Sequence, residues 1–200
     1  MALYGRLDAG LGKAFGGQSQ MIGNYKETSM WGVRGQEDLG GGLKASFNFE
    51  QGVNIEDGAL TGGAAGAWNR AAWLAIGGGF GEFAMGRMTT AQNRTMGTFD
   101  LNGTTNNTSA LKNLGLDADG ALGGNRANSQ FLYTSPKLSG FQARAAVVMK
   151  QDKAAPAAGA ADTRKGSYQL AASYKNGPLS LGAVVQSKMA EGANNRTGYA

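Results

Sequence analysis

The chain has 200 residues, 34 of them Gly, with 3 Pro, no Cys, no His and a formal net charge of +5. Charged residues make up 16%, against about 25% in ordinary domains, where Gly is about 7%. The missing Cys and His exclude thiolate metal sites, disulfides and Ser-His-Asp chemistry, and no apolar run reaches the roughly 18 residues of a transmembrane helix. No cofactor or metal is expected. The basic balance fits nucleic acid, an anionic surface or anionic solutes, and the placement of the charges has to decide.

In place of a helical signal, the chain shows period-2 alternation in segments of about ten residues. The first predicted strand covers about 2–14, with Leu3, Leu7, Ala9 and Leu11 opposed to Tyr4, Arg6 and Asp8. A polar link over 15–27 leads to strands near 28–37 and 43–53, which flank Asp38-Leu39-Gly40-Gly41-Gly42. Trp31 and Val33 oppose Arg34 and Gln36 on the first arm. Leu43, Ala45, Phe47 and Phe49 oppose Lys44, Ser46, Asn48 and Glu50 on the second.

A Gly/Ala link over 54–67 precedes strands near 68–76 and 80–88 around Gly77-Gly78-Gly79. The longest link follows, about 89–127, full of Asn, Thr, Gly and Asp. Strands near 128–135 and 140–150 flank Pro136-Lys137-Leu138-Ser139. A link over 151–165 precedes strands near 166–175 and 179–188, joined by Asn176-Gly177-Pro178, and a polar stretch ends the chain. Phe141, Ala143, Ala145, Val147 and Met149 oppose Gln142, Arg144 and Lys150. Two places break the pattern: strict alternation sets Arg70 with Leu74 and Ile76, and Arg87 with Phe83 and Met85. A bulge, or a place above an apolar band, would reconcile either one.

Nine strands with one greasy and one ionic face, and links that alternate long and short, predict an all-β fold: a transmembrane antiparallel up-and-down barrel with a polar lumen. An antiparallel sandwich with one solvated face is the alternative, but it has no reason to sort its links by length. The 89–127 link is the first place to look for function, since unstructured loops of that length are uncommon.

Several segments resemble a known family. Leu3-Tyr4-Gly5-Arg6-Leu7-Asp8-Ala9-Gly10 is similar to the first strand of Gram-negative trimeric general porins of the beta-proteobacterial type. Trp31-Gly32-Val33-Arg34-Gly35-Gln36-Glu37-Asp38-Leu39-Gly40-Gly41-Gly42-Leu43-Lys44-Ala45 resembles that family's first hairpin. Asn69-Arg70-Ala71-Ala72-Trp73-Leu74 with Gly79-Phe80-Gly81-Glu82-Phe83-Ala84-Met85-Gly86-Arg87 resembles the next. Asn128-Ser129-Gln130-Phe131-Leu132-Tyr133-Thr134-Ser135-Pro136, then Gly140-Phe141, resembles the one after.

The resemblance implies a barrel of about 16 strands that assembles as a homotrimer in the bacterial outer membrane, against lipid and lipopolysaccharide. It also implies a third long link, here 89–127, folded into the barrel as a constriction. Arg34, Arg70 and Arg126 match the wall arginines of anion-preferring members. Arg34 and Arg126 also face the lumen by parity, while Arg70 rests on the resemblance. Asp100 is a candidate acidic partner on the link. Arg6, Asp8, Lys44, Glu50, Arg87 and Arg144 are further candidate lumen charges.

The start, Met1-Ala2-Leu3, shows no charged segment followed by an apolar one, so no signal peptide is expected in it. Nine strands cannot close a barrel of about 16, so the chain is expected to be the N-terminal portion of one such barrel.

Other motifs are weak. Gly10-Leu11-Gly12-Lys13 lacks the third glycine of a dinucleotide loop, and the neighbours in Glu37-Asp38 and Glu56-Asp57 would point to opposite faces of a strand. The expected function is passive diffusion of small hydrophilic, anionic solutes, with no enzymatic activity and no nucleic-acid partner. An outer-membrane enzyme or an adhesin is the alternative.

Overall fold

The computed structural model describes residues 1–13, 17–62, 66–103, 106, 109, 125–149, 166–189 and 195–199. Its strands are β1 (Ala2–Arg6), β2 (Ala9–Lys13), β3 (Ser19–Gly23), β4 (Met30–Gly40), β5 (Leu43–Gly52), β6 (Ala71–Gly78), β7 (Gly81–Thr89), β8 (Arg126–Thr134), β9 (Phe141–Val148), β10 (Ser167–Asn176), β11 (Leu179–Met189) and β12 (Asn195–Tyr199). One helix, α1 (Ala91–Met96), runs into a 3-10 turn over Gly97–Phe99.

Ten strands form one antiparallel sheet in the order β1-β4-β5-β6-β7-β8-β9-β10-β11-β12, and β2 pairs with β3 alone. From β4 onward each strand therefore pairs with its chain neighbour, as up-and-down winding requires. β1 and β12 have one partner each among the described residues. The six strands β4, β5, β7, β8, β10 and β11 have 9 to 11 residues, the length that crosses a tilted hydrocarbon layer. No described helix is long and apolar enough to cross a membrane.

Tight reversals need backbone that most residues avoid. Gly40, Gly41 and Gly42 stand at φ 83°, 60° and 81° between β4 and β5, in the left-handed region that only Gly enters freely. The ladder shifts register between Asp38 and Gly40, so β4 runs on to Gly40 instead of ending near 37.

Alternation produces two unlike faces. One carries Leu74, Ile76, Phe83, Met85, Phe131 and Leu170, each about half exposed. In water such a band is a liability, and in hydrocarbon it is solvated. The other face carries Asn48, Glu50, Gln130, Arg144 and Gln169, together with small residues. Against it lies α1: Ala91 and Met96 join Ala75, Ala84, Met88, Leu132, Ala146, Ala171 and Val184 in one buried cluster. Full burial of Met88 and Leu132 contributes about 1.5–3 kcal/mol each. Thr90 caps α1, its hydroxyl accepting the Asn93 N–H at 3.2 Å.

Three expectations need correction. The strand expected over 2–14 breaks at Leu7-Asp8 into β1 and β2, because Asp8 turns away from the ladder and accepts the Lys26 and Glu27 N–H groups at 3.0 and 3.2 Å. The link expected over 15–27 contains β3, which pairs with β2. The final polar stretch contains β12, which extends the sheet beyond the strand near 179–188. Lys150 and most of 104–124 lie outside the described residues.

Candidate functional site

The charged side chains of the polar face collect where β1, β5, β6, β7 and β8 meet the long links. Alternation along β5 turns Lys44, Ser46, Asn48 and Glu50 to this face. Glu50 Oε1 accepts the Arg70 Nε–H at 2.6 Å, with the two side chains only 15% and 13% exposed. The Tyr4 hydroxyl lies 2.8 Å from both Glu50 Oε2 and Asn48 Oδ1. Arg34, opposite Asn48 in the ladder, holds its guanidinium 5.0 Å from the centre of the Tyr4 ring, a cation–π contact that leaves the charge exposed.

Arg70 reaches this face because the chain is irregular just before β6. Trp68 stands at φ 64°, and Asn69 Oδ1 accepts the Gly52 N–H at 2.9 Å. The count that set Arg70 with Leu74 and Ile76 therefore does not run back past Ala71. The Arg70 Cδ lies 3.4 Å from where a Cβ on Gly52 would project.

Arg87 follows similar logic. Between Gly86 and Met88 the β7–β8 register shifts, so that Asn128 and Ser129 stand opposite Arg87 alone. Ser129 has φ 47° and Gly86 φ 126°, the backbone of a bulge. Arg87 then donates from Nε to the Asn69 carbonyl and from Nη1 to Asn128 Oδ1, both at 2.6 Å. The same bulge interrupts the parity that joined Arg126 to Gln130, and Ala127 stands opposite Met88. What places Arg126 is its Nε–H bond to the Arg70 carbonyl at 2.9 Å. Its charge lies in the field of Arg70, Glu50, Arg87 and Arg6.

Four guanidiniums thus gather around two carboxylates: Arg6 pairs with Glu27 at 2.8 Å and Arg70 with Glu50. Arg126 is held by a neutral carbonyl. Arg144 stands apart from this group and meets the link that carries α1, its Nη1 on Thr95 Oγ1 at 3.0 Å and Nη2 on Gln142 Oε1 at 2.6 Å. Asp8 fastens the turn at 24–29. Asp100 is buried; it accepts the Asn102 N–H at 3.0 Å and the Ser109 hydroxyl, both within its own link. Lys44 shares a recess near the short turns with Glu82 and Gln142.

Sequence reasoning missed Arg94 and Glu82. Arg94 projects from α1, donates from Nε to Thr89 Oγ1 at 2.9 Å, and lies in the fields of Glu82 and Arg144. Burial pushes its guanidinium below the ordinary range, Glu82 draws it back up, and Arg144 pushes it down. Thr90 before Ala91-Gln92 was the available signal, a capping residue at a helix start. Six residues is too short a helix for periodicity to reveal.

The link that carries α1 also crosses the face. Its helix packs on β9, β10 and β11, while the Asn106 N–H and side-chain amide donate to the Lys26 and Asn24 carbonyls at 2.8 and 2.9 Å. One link therefore touches both the late strands and the segment ahead of β4.

A family model for Gram-negative porins matches residues 1–200. The outer membrane porin protein 32 of Delftia acidovorans is 31% identical over 168 residues, covering 82% of this chain and 46% of that protein. An outer membrane porin protein of Bordetella pertussis is 29% identical, covering 71% of this chain and 40% of its own. Among solved structures, an anion-selective porin from Comamonas acidovorans superimposes with a TM-score of 0.74 at 29% identity, covering 94% of this chain and 57% of that one. The chain spans about half the length of the curated relatives it matches.

Proposed function

The chain belongs to the Gram-negative porin family of the bacterial outer membrane, and we propose that the whole protein is a passive channel for small hydrophilic anions. The observation that carries this reading is the gathering of Arg6, Arg70, Arg87 and Arg126 around Glu50 and Glu27, with exposed Arg34 beside it. Fixed positive charge along a water-filled path lowers the entry barrier for anions and raises it for cations. Because Arg126 bonds a neutral carbonyl, its charge still acts on passing solutes. An anion-selective porin of 29% identity and the same fold supports the assignment.

In this reading residues 89–127 form the constriction. The support is that α1 lies on the polar face and Asn106 holds the link across it. The pore charges are Arg34, Arg70 and Arg126, with Arg6, Lys44, Glu50, Arg87 and Arg144 along the wall and Asp100 bracing the link. The apolar face meets outer-membrane lipid and lipopolysaccharide, and three copies assemble. The test is a reversal potential for the whole protein in a planar bilayer under a potassium chloride gradient. Chloride preference is expected, and it should shrink as the screening length falls from about 10 Å at 0.1 M to about 3 Å at 1 M. A preference for potassium would overturn the reading.

A further inference from the structure

We propose that the hollow between the 3-10 turn after α1 and the wall of β9–β11 is a binding subsite for arene carboxylates of the benzoate class, on the short-turn side of the arginine gathering. The inference rests on the anion-channel reading and adds a solute class to it. The hollow encloses about 410 Å³ and is lined by Phe99, Lys137, Gln142, Arg144, Lys175 and Ser180 among others. That size falls in the range of small-molecule pockets, about 300–1,000 Å³.

Its chemistry is two-sided. Arg144 is oriented by the neutral acceptors Thr95 Oγ1 and Gln142 Oε1, and no described carboxylate forms an ion pair with it. Its Nε is buried, so the donors it keeps for a carboxylate are the second N–H groups of Nη1 and Nη2. Lys137 and Lys175 stand exposed at the rim, and no Asp or Glu is among the described lining residues. Glu82, the acid of the adjoining recess, lies beyond Gln142.

The apolar side is Phe99. Its ring sits on Gly182 of β11, where a Cβ would collide with it. The glycine thus makes the seat that holds an aromatic ring on an otherwise polar wall. Chloride or acetate can use only the cations, whereas an arene carboxylate can also pack against Phe99. Paired rings add about 0.5–1.5 kcal/mol beyond their area.

The experiment follows chloride current through the whole protein in a planar bilayer at neutral pH, with benzoate or acetate added to the short-turn side. Benzoate is expected to reduce the current at a concentration about fivefold or more below that of acetate. Phe99→Leu and Gly182→Ala, one deleting the ring and the other displacing it, are each expected to narrow that gap about threefold or more. Equal block by benzoate and acetate overturns the proposal, as does a benzoate preference unchanged in both variants. Should one variant fail to insert, the other decides. The reversal potential of the same unmodified channel is read separately, so an anion-selective channel indifferent to benzoate refutes the subsite alone. A cation-selective channel refutes the parent reading.

Discussion

Arg126 donates its Nε–H to the carbonyl oxygen of Arg70 at 2.9 Å although 56 residues separate them and β7 runs between their strands. The bond fixes a cation without neutralising it, since a carbonyl carries only a dipole. Arg70 itself is neutralised by Glu50 at 2.6 Å. In the proposed channel the two arginines therefore differ: the Arg70 charge is offset within the wall, whereas that of Arg126 contributes field.

Replacing Arg34 and Arg126 together by Gln is expected to weaken chloride preference with little loss of stability. At about 8 Å in water a unit charge is worth about 0.5 kcal/mol, so removing two should lower chloride permeability about fivefold and raise potassium permeability by about as much, a change of about thirtyfold in their ratio at low salt. Reversal potentials of the double variant measure it, and an unaltered ratio would place the selective section elsewhere.

Glu50→Gln is expected to act in the opposite direction. It frees the Arg70 charge and by the same arithmetic raises the chloride-to-potassium permeability ratio about fivefold. It also removes a charge-assisted bond, at a cost of about 1–3 kcal/mol to the folded barrel. The permeability ratio and the temperature of heat-modifiable migration should move together, one up and one down.

Gly86→Ala is expected to destabilise the barrel by about 1–3 kcal/mol. Gly86 stands at φ 126°, and a Cβ there would meet the Ala72 carbonyl and come within 2.9 Å of Trp73 Cα. The variant should lose heat-modifiable migration at a lower temperature. Where it still folds, its selectivity should shift, because the bulge that turns Arg87 would be disturbed.

Deleting much of 95–122 is expected to raise single-channel conductance, since in the proposed reading this link narrows the path. The current step in planar bilayers is the readout. An unchanged step would put that link outside the conducting section.

Residues 1–200 refolded alone in detergent are expected to aggregate without forming a channel. β1 and β12 each have one strand partner among the described residues, and an open sheet edge leaves N–H and C=O groups unmet in hydrocarbon. Discrete, long-lived conductance steps from this segment would contradict the expectation.

Much of the wall was legible because lipid on one side and water on the other impose a strict period of two. Phe131, Val147, Leu170 and Leu181 fall on the face that period assigns them, opposite Gln130, Arg144 and Gln169. Illegible parts are those where the period is broken by backbone geometry. Nothing in Asn128-Ser129 announces that Ser129 adopts φ 47°, yet that bulge turns Arg87 and overrides the parity of Arg126. The Trp68-Asn69 irregularity hides Arg70 in the same way. Helix α1 escaped because a six-residue helix in an Asn/Thr-rich link offers a cap and little else.

Ala75, Ala84, Ala146, Ala171 and Gly182 leave a shallow bed in the wall on which α1 and Phe99 rest. The depth of that bed sets how far α1 and Phe99 stand out from the wall, and hence, in the proposed channel, how much passage remains. A larger side chain at Ala146 or Ala171 would shim the helix outward and throttle flow from behind. Such a residue would regulate the traffic without ever meeting a solute.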